Sequence, residues 1–313
     1  MNISSLLSAV ATLALLLAAG YITGKTGITD AVSTERLSTL IVKLGQPFLI
    51  INALISQEFS RENLITGLKI LALGLGMHAG MAAVAYFAAK LCGGTFDEKK
   101  LSEYSMFFAN CGFIGFPIVE SLYGSRGLFY GAFYVVSFHL FVWTWGIMLL
   151  ARGREDIKLT PRKIILNYGT LPCMIGFALF CLNLPLPAFV RDFTSYLNGI
   201  CTPIAIIISG ANLSRRSIPA MLKNKNIYYV NFVKLILMPV LVSCVLKLLG
   251  LPEYMIVFGG IMAAMPAPAV VTMFGEMYGI SPGYAAEIVG SSTLLCTLTI
   301  APAVTFAQFI AGL

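Results

Sequence analysis

Asn110-Cys-Gly-Phe-Ile-Gly-Phe-Pro117 interrupts an otherwise apolar segment that runs from about Leu101 to Gly124. An α-helix crosses ~30 Å of hydrocarbon with ~20 residues, so the interruption falls near the middle of a would-be span. Pro117 has no N–H and suits the first turn of a second half-helix. Gly112 and Gly115 let other groups come close to the backbone. Irregular backbone at membrane depth is tolerated only where protein or an aqueous cavity covers it. Paired broken helices near the midplane mark the sites of secondary transporters. That geometry predicts a second interruption in the other half of the chain, and Met265-Pro-Ala-Pro268 supplies it.

The composition points the same way. Hydrophobic residues make up 58% of the 313, and only 11% are charged. Mean hydropathy is +0.85. A soluble domain carries about a quarter charged residues, so the chain reads as a polytopic membrane protein. The formal net charge of +7 is not a nucleic-acid footprint, because the basic residues fall in short loops. Met1 to Ala9 contains no Lys or Arg, so the first apolar run reads as a retained span rather than a signal peptide. The seven cysteines lie mostly inside apolar segments and form no C-x-x-C pair, which marks them as small hydrophobes. The two histidines are far apart in sequence, so no metal site is expected. There is no Walker A loop and no cofactor is expected.

Ten apolar spans are predicted, near 3–23, 36–56, 64–91, 101–124, 127–151, 163–183, 190–211, 226–249, 254–278 and 284–311, the fourth and ninth broken. Loops after the odd-numbered spans hold 14 Lys and Arg; the opposite side holds four, Arg61, Arg126, Arg191 and Lys247. The imbalance places the odd-numbered loops in the cytoplasm and both termini outside a cell membrane, plasma or inner. Tyr123-Gly124 and Tyr278-Gly279 each end a broken span and lie 155 residues apart. Lys43-Leu-Gly-Gln-Pro47 falls on Gly199-Ile-Cys-Thr-Pro203 at an offset of 156. Two repeats of five spans have opposite orientation, because five is odd. The expected fold is therefore all-α, with ten transmembrane helices in two inverted repeats and helices 4 and 9 crossing at their breaks.

At such a crossing the second half-helices aim free N–H groups and positive dipole ends at one place, which favours an anion. The first half-helices aim carbonyls there, which favours a cation. Asn110 adds an amide. The ligand expected is a carboxylate, alone or with a coupling proton or sodium ion. Backbone and shape at Gly112, Gly115, Pro117, Pro266 and Pro268 complete the site.

The string Phe107-Phe-Ala-Asn-Cys-Gly-Phe-Ile-Gly-Phe-Pro-Ile-Val-Glu-Ser-Leu-Tyr-Gly124 resembles the hallmark of the auxin efflux carrier family. Further matching pieces are Gly20-Tyr-Ile-Thr-Gly24, Gln46-Pro47, Trp143-Thr-Trp-Gly146, Pro203 through Gly210-Ala-Asn-Leu213, and Pro266-Ala-Pro268. The family includes plant auxin exporters and bacterial permeases for malate, malonate and related acids. The resemblance implies an elevator-type carrier, often a homodimer, in which a scaffold (1–60 and 163–213) faces a moving transport part (61–151 and 214–313). The central loop, 152–162, is short, as in bacterial members. The family often has Asn four residues before the span-5 Trp; this chain has His139, a titratable donor that can make anion binding pH-dependent.

Charges inside spans need a reason. Lys43 lies near Gln46-Pro47 and either snorkels or faces the site. Lys69 and Lys234 read as snorkellers or carboxylate partners, and His78 as packed. Glu120 and Glu276, nearly equivalent in the repeat, are candidate ion-coupling sites. The leading function is a secondary transporter for small organic anions, embedded in lipid. Its rivals are a sodium- or proton-coupled carrier of the bile-acid symporter type and a non-transporting receptor for an organic acid. An enzyme is not expected, because no nucleophile–base arrangement stands out at helical spacing.

Overall fold

A computed structural model describes residues 3–154, 166–184, 186–216, 221 and 223–313. Most of the connection at 152–162 lies outside these residues. The described residues are helical, with no strand among them.

Among the described residues eight helices are long and apolar enough to cross a membrane. They are α1 (Ser4–Lys25), α2 (Ala31–Leu54), α3 (Arg61–Ala89), the pair α4 (Phe96–Phe107) and α5 (Phe116–Tyr123) counted together, α6 (Ser125–Ala151), α8 (Ala188–Ser214), α9 (Lys225–Leu248) and α12 (Pro282–Ala311). Among the described residues three shorter helices accompany them: α7 (Thr170–Leu182), α10 (Glu253–Ala264) and α11 (Val270–Met277).

Several starts are set by local chemistry. Asp30 caps α2, its Oδ1 accepting from Ser33 N at 2.7 Å while Ser33 Oγ accepts from Asp30 N at 2.8 Å. That donation is the main reason the Asp30 carboxyl, in the loop before the span, sits below its ordinary value. The second span thus begins five residues before the predicted 36, and Thr34 to Thr39 become helical lining. Thr95 and Glu98 form the reciprocal cap of α4, at 3.2 and 2.8 Å. α7 begins at Thr170 rather than 163, because Asn167 Oδ1 takes the N–H groups of Gly169 and Thr170 at 2.9 and 2.8 Å.

Three prolines inside spans follow a widened turn of the helix. Wide π turns at Ile41–Gly45, Cys111–Gly115 and Val233–Leu237 each end two residues before a proline: Pro47, Pro117 and Pro239. A proline removes one N–H and crowds the carbonyl four residues back, and a single π turn relieves both. Lys43 and Lys234, two of the lysines inside spans, sit in these turns.

α1 packs along the second half of α8 through small residues. A Cβ added to Gly20 would lie 2.1 Å from Ile207 O, and one on Gly210 would lie 2.1 Å from Leu17 O. Gly24 meets Ser214 in the same seam. Small residues four apart let two backbones touch where lipid provides no hydrophobic drive. α2 packs on α7 and on both parts of α8. The remaining helices form a second group, with α3 on α6 and α4, and α12 on α9, α10 and α11. The two groups meet where α2 touches α6 and where α1 and α8 touch α12.

Candidate functional site

The two interruptions meet directly. Asn110 N donates to Pro266 O at 2.8 Å. The first gap lies earlier than the glycines and proline predicted: Phe108 to Asn110 are unwound, with Phe108 extended at φ −81°, ψ 150°. Helical backbone resumes at Cys111, and Asn110 O accepts from Ile114 N and Gly115 N at 3.3 and 3.0 Å. In the second gap Met265 is extended at ψ 145°, the conformation that a following proline imposes. Ser292 Oγ of α12 pins this loop by accepting from Ala267 N at 3.2 Å.

Both gaps border a cavity of about 570 Å³. It lies between α2, the Tyr168-Gly169 corner, α6, α8 and the two interruptions. Gly112, Phe113, Ala269 and Val270 line it, and among the described residues none of their N–H groups has a backbone acceptor. These are the open N-terminal turns of the two second half-helices, aimed at the same space.

Of the residues singled out in the sequence, Asn110, Gly112, Gln46, His139, Lys43, Pro268 and Glu276 line the cavity. Gly115, Pro117, Pro266 and Glu120 do not. Gly115 instead lets its turn approach Met262 and Met265, which an added Cβ would meet at 3.3 and 3.5 Å. Pro117 shapes the π turn. Pro266 contributes its carbonyl to Asn110. Glu120 is exposed on α5.

Lys43 is the thirteenth residue of the 24 in α2, so it sits at mid-helix rather than near an end. Its side chain is exposed to the cavity, with Nζ 5.9 Å from the centroid of the Tyr168 ring. No carboxylate pairs with it among the described residues. Asn110 is 6% exposed, and its side-chain amide makes no hydrogen bond among the described residues. Gln46 Nε2 lies 3.1 Å from His139 Nε2. An amide N–H₂ donates, so that imidazole nitrogen accepts and the neutral ring carries its proton on Nδ1. Nδ1 is buried and unpartnered, and faces Gly169, where a Cβ would come within 2.1 Å of it.

One mouth of the cavity lies at the start of α2 and the end of α8. Thr34, Glu35, Asn212 and Glu276 line it, and Arg215 binds Thr34 Oγ1 at 2.8 Å and Asn212 Oδ1. Glu276 feels Glu35 as a like charge and Arg215 and Arg216 as opposite charges. Glu35, Thr39, Tyr168 and Thr272 also line the cavity, beyond the residues expected from the sequence. The Asp30–Ser33 cap was the available signal for Glu35, since it moves the start of the helix to Ala31; the others depend on tertiary placement. Among the described residues no cluster of His, Cys, Asp and Glu could hold a metal ion, and all seven cysteines are free.

A helical bundle of membrane-crossing length, with two interrupted helices hydrogen-bonded across a polar-lipped cavity, defines a multi-pass membrane protein of the transporter class. The family model described as "Membrane transport protein" matches residues 5–303, and the chain belongs to that family, the auxin efflux carrier family. An "Uncharacterized transporter" of Methanothermobacter thermautotrophicus is 23% identical over 285 residues, covering 89% of each chain.

Proposed function

We propose that this membrane transporter moves small organic anions, carboxylates such as malate, malonate or auxin-like aryl acetates, by alternating access. The observation that carries the proposal is Lys43, a lysine at mid-helix with no ion-pair partner among the described residues. It faces a cavity that also receives the free Asn110 amide and four open backbone N–H groups. A cation held at membrane depth without a counterion is costly, and a carboxylate supplies the missing charge.

The ten-span count follows if α7 is one span and α10 with α11 makes the broken ninth. The two halves are then inverted repeats crossing at Asn110 and Pro266. Scaffold segments 1–60 and 163–213 correspond to the α1, α2, α7 and α8 group, and transport segments 61–151 and 214–313 to the other. Elevator motion of the second group would carry Asn110 and the half-helix N-termini past Lys43 and Gln46. The basic loops put the cavity mouth on the cytoplasmic side, an inward-facing state with both termini outside the plasma or inner membrane. Assembly as a homodimer through the scaffold in lipid belongs to the same proposal.

The test is uptake of labelled malonate, malate and phenylacetate into proteoliposomes. Lys43→Gln and Asn110→Ala are each expected to lower uptake at sub-saturating substrate by about tenfold or more, as for a lost charge-assisted bond of ~1.5–3 kcal/mol. Uptake by both variants equal to wild type would remove the site. Counterflow distinguishes a carrier from a receptor, which binds without exchange.

A further inference from the structure

The cavity has a mouth at Thr34 and Glu35, and the far ends of its walls are packed. On α2 the last residue that lines it is Ile50, and on α6 the first is Val135. Val135 lies ten residues into α6 from Ser125, so ~15 Å of helix separates the cavity from the opposite end of that wall.

Aromatic rings from both helix groups fill that stretch. The Phe180 ring of α7 lies 5.2 Å from Phe129 and 6.3 Å from Phe133 of α6, centroid to centroid. It lies 5.5 Å from Phe59 in the α2–α3 connection. Phe129, Phe133 and Phe180 are all buried. Each side holds its rings firmly. α7 is set against α2 at Gly176, where a Cβ would meet Leu54 Cδ1 at 2.8 Å and Ile51 Cα at 3.2 Å. Phe133 rests on Gly67 of α3, where a Cβ would lie 2.4 Å from the ring. The contact between the two groups here is therefore ring against ring.

A polar pair sits at the end of the same seam. Gln57 Nε2 donates to Ser125 Oγ at 2.8 Å, and Ser56 Oγ donates to Ser125 O at 3.4 Å. Ser56 and Gln57 follow α2, the helix of Lys43. Ser125 opens α6 directly after Gly124, whose φ of +62° turns the chain out of α5. The pair thus ties the end of the Lys43 helix to the end of the half-helix that begins beyond Asn110. Such a seam can part at low cost. Rings leave no buried donor or acceptor without a partner, and water replaces the bonds of the surface pair.

We propose that Phe180 with Phe129 and Phe133, and the Gln57–Ser125 pair beside them, form an outer closure. It seals the substrate site from the outer side while the mouth at Thr34 is open, and it parts when the site turns outward. This inference rests on the alternating-access reading above and its assignment of sides, and adds which contacts hold the outer face shut. Removing a contact made in only one state raises the population of the other by the factor lost.

The experiment begins in a cysteine-free background with Ala53→Cys, a buried position on α2 one turn before Ser56. A membrane-impermeant maleimide added from the outer side is expected to label it slowly while the closure is intact. Phe180→Ala and, separately, Gln57→Ala should each raise that rate, by about fivefold or more for the ring, with Arg61→Cys as an unchanged reference. Gln57 lies at the surface, so its variant decides the matter if Phe180→Ala is not monodisperse. In the converse arm, Gln57→Cys and Ser125→Cys are joined by a short reducible bifunctional thiosulfonate. Joining should stop counterflow of malonate, malate and phenylacetate in proteoliposomes while keeping the thermal shift of whichever probe shifts wild type. Reduction should restore counterflow. Unchanged outer labelling in both closure variants overturns the closure, as does counterflow at the uncrosslinked rate in the joined protein. Wild type with neither counterflow nor a thermal shift for any probe overturns the transport reading. The labelling comparison needs no substrate and decides the closure by itself.

Discussion

Gly169 and His139 show how tightly single residues shape the cavity wall. The imidazole lies flat against a backbone that has no Cβ, and Gln46 holds its other nitrogen. Gly169→Ala is therefore expected to displace the ring, break the Gln46 contact and weaken substrate binding, read as a loss of thermal shift with malonate. The neutral imidazole accepts from Gln46. A protonated ring would need that amide turned over to present its oxygen. A pH dependence of substrate binding that arises here should vanish in His139→Asn, and an unchanged pH profile would remove His139 from the mechanism. The identity of His139 as a site-facing residue was visible from its position before Trp143; its tautomer was not. That depends on Gln46, 93 residues away in the chain.

Among elements, the α1–α8 seam is the most sensitive to volume. Carbonyl oxygens of Ile207 and Leu17 occupy the places where side chains of residues 20 and 210 would begin. Backbone cannot move aside as a flexible side chain can. Gly20→Leu and Gly210→Leu are each expected to destabilise the fold by about 1–3 kcal/mol or more, measured as a lower thermal midpoint in detergent. Exposed Gly76 has nothing within 4 Å, and Gly76→Ala should be neutral or slightly stabilising in the same assay. Gly20-Tyr-Ile-Thr-Gly24 stood out in the sequence only as a piece shared with the family; that both glycines pack against α8 is decided by the tertiary structure. Three of the π turns share an offset from Pro47, Pro117 and Pro239, while the fourth, Val142–Gly146, has no proline after it. The first gap was not legible, because no proline or glycine lies at Phe108 or Ala109; the helix ends there because Asn110 N pairs with Pro266 O instead of an i−4 carbonyl.

For the whole molecule, the side assignment of the cavity mouth follows from the loops, and labelling can test it. In a cysteine-free background, a single cysteine at Lys99 or Thr39 should react with a membrane-impermeant maleimide only from the cytoplasmic side. One at Arg61 should react only from outside. Reaction of Lys99→Cys from outside would invert the topology and turn the cavity outward. On the basic-loop side, Arg152 at the end of α6 pairs with Glu103 of α4 at 2.7 Å, and Lys100 Nζ, paired with Asp97 of its own helix at 2.8 Å, donates to Leu150 O and Arg152 O at 3.3 and 3.2 Å. Asn226 and Gly93 exchange two bonds of 3.0 Å across the same surface. The sequence by itself determined that the chain is helical and membrane-embedded, that two helices are interrupted and that basic loops lie on one side. Those properties are set by transfer free energy, missing N–H groups and charge counted along the chain. Only the tertiary structure decided where the first helix stops, that Lys43 faces a cavity while Lys234 is fully buried in its π turn, and that Glu120 lies outside the cavity. Each depends on which distant element supplies a hydrogen-bond partner, a wall or an opening, and local spacing carries no record of that.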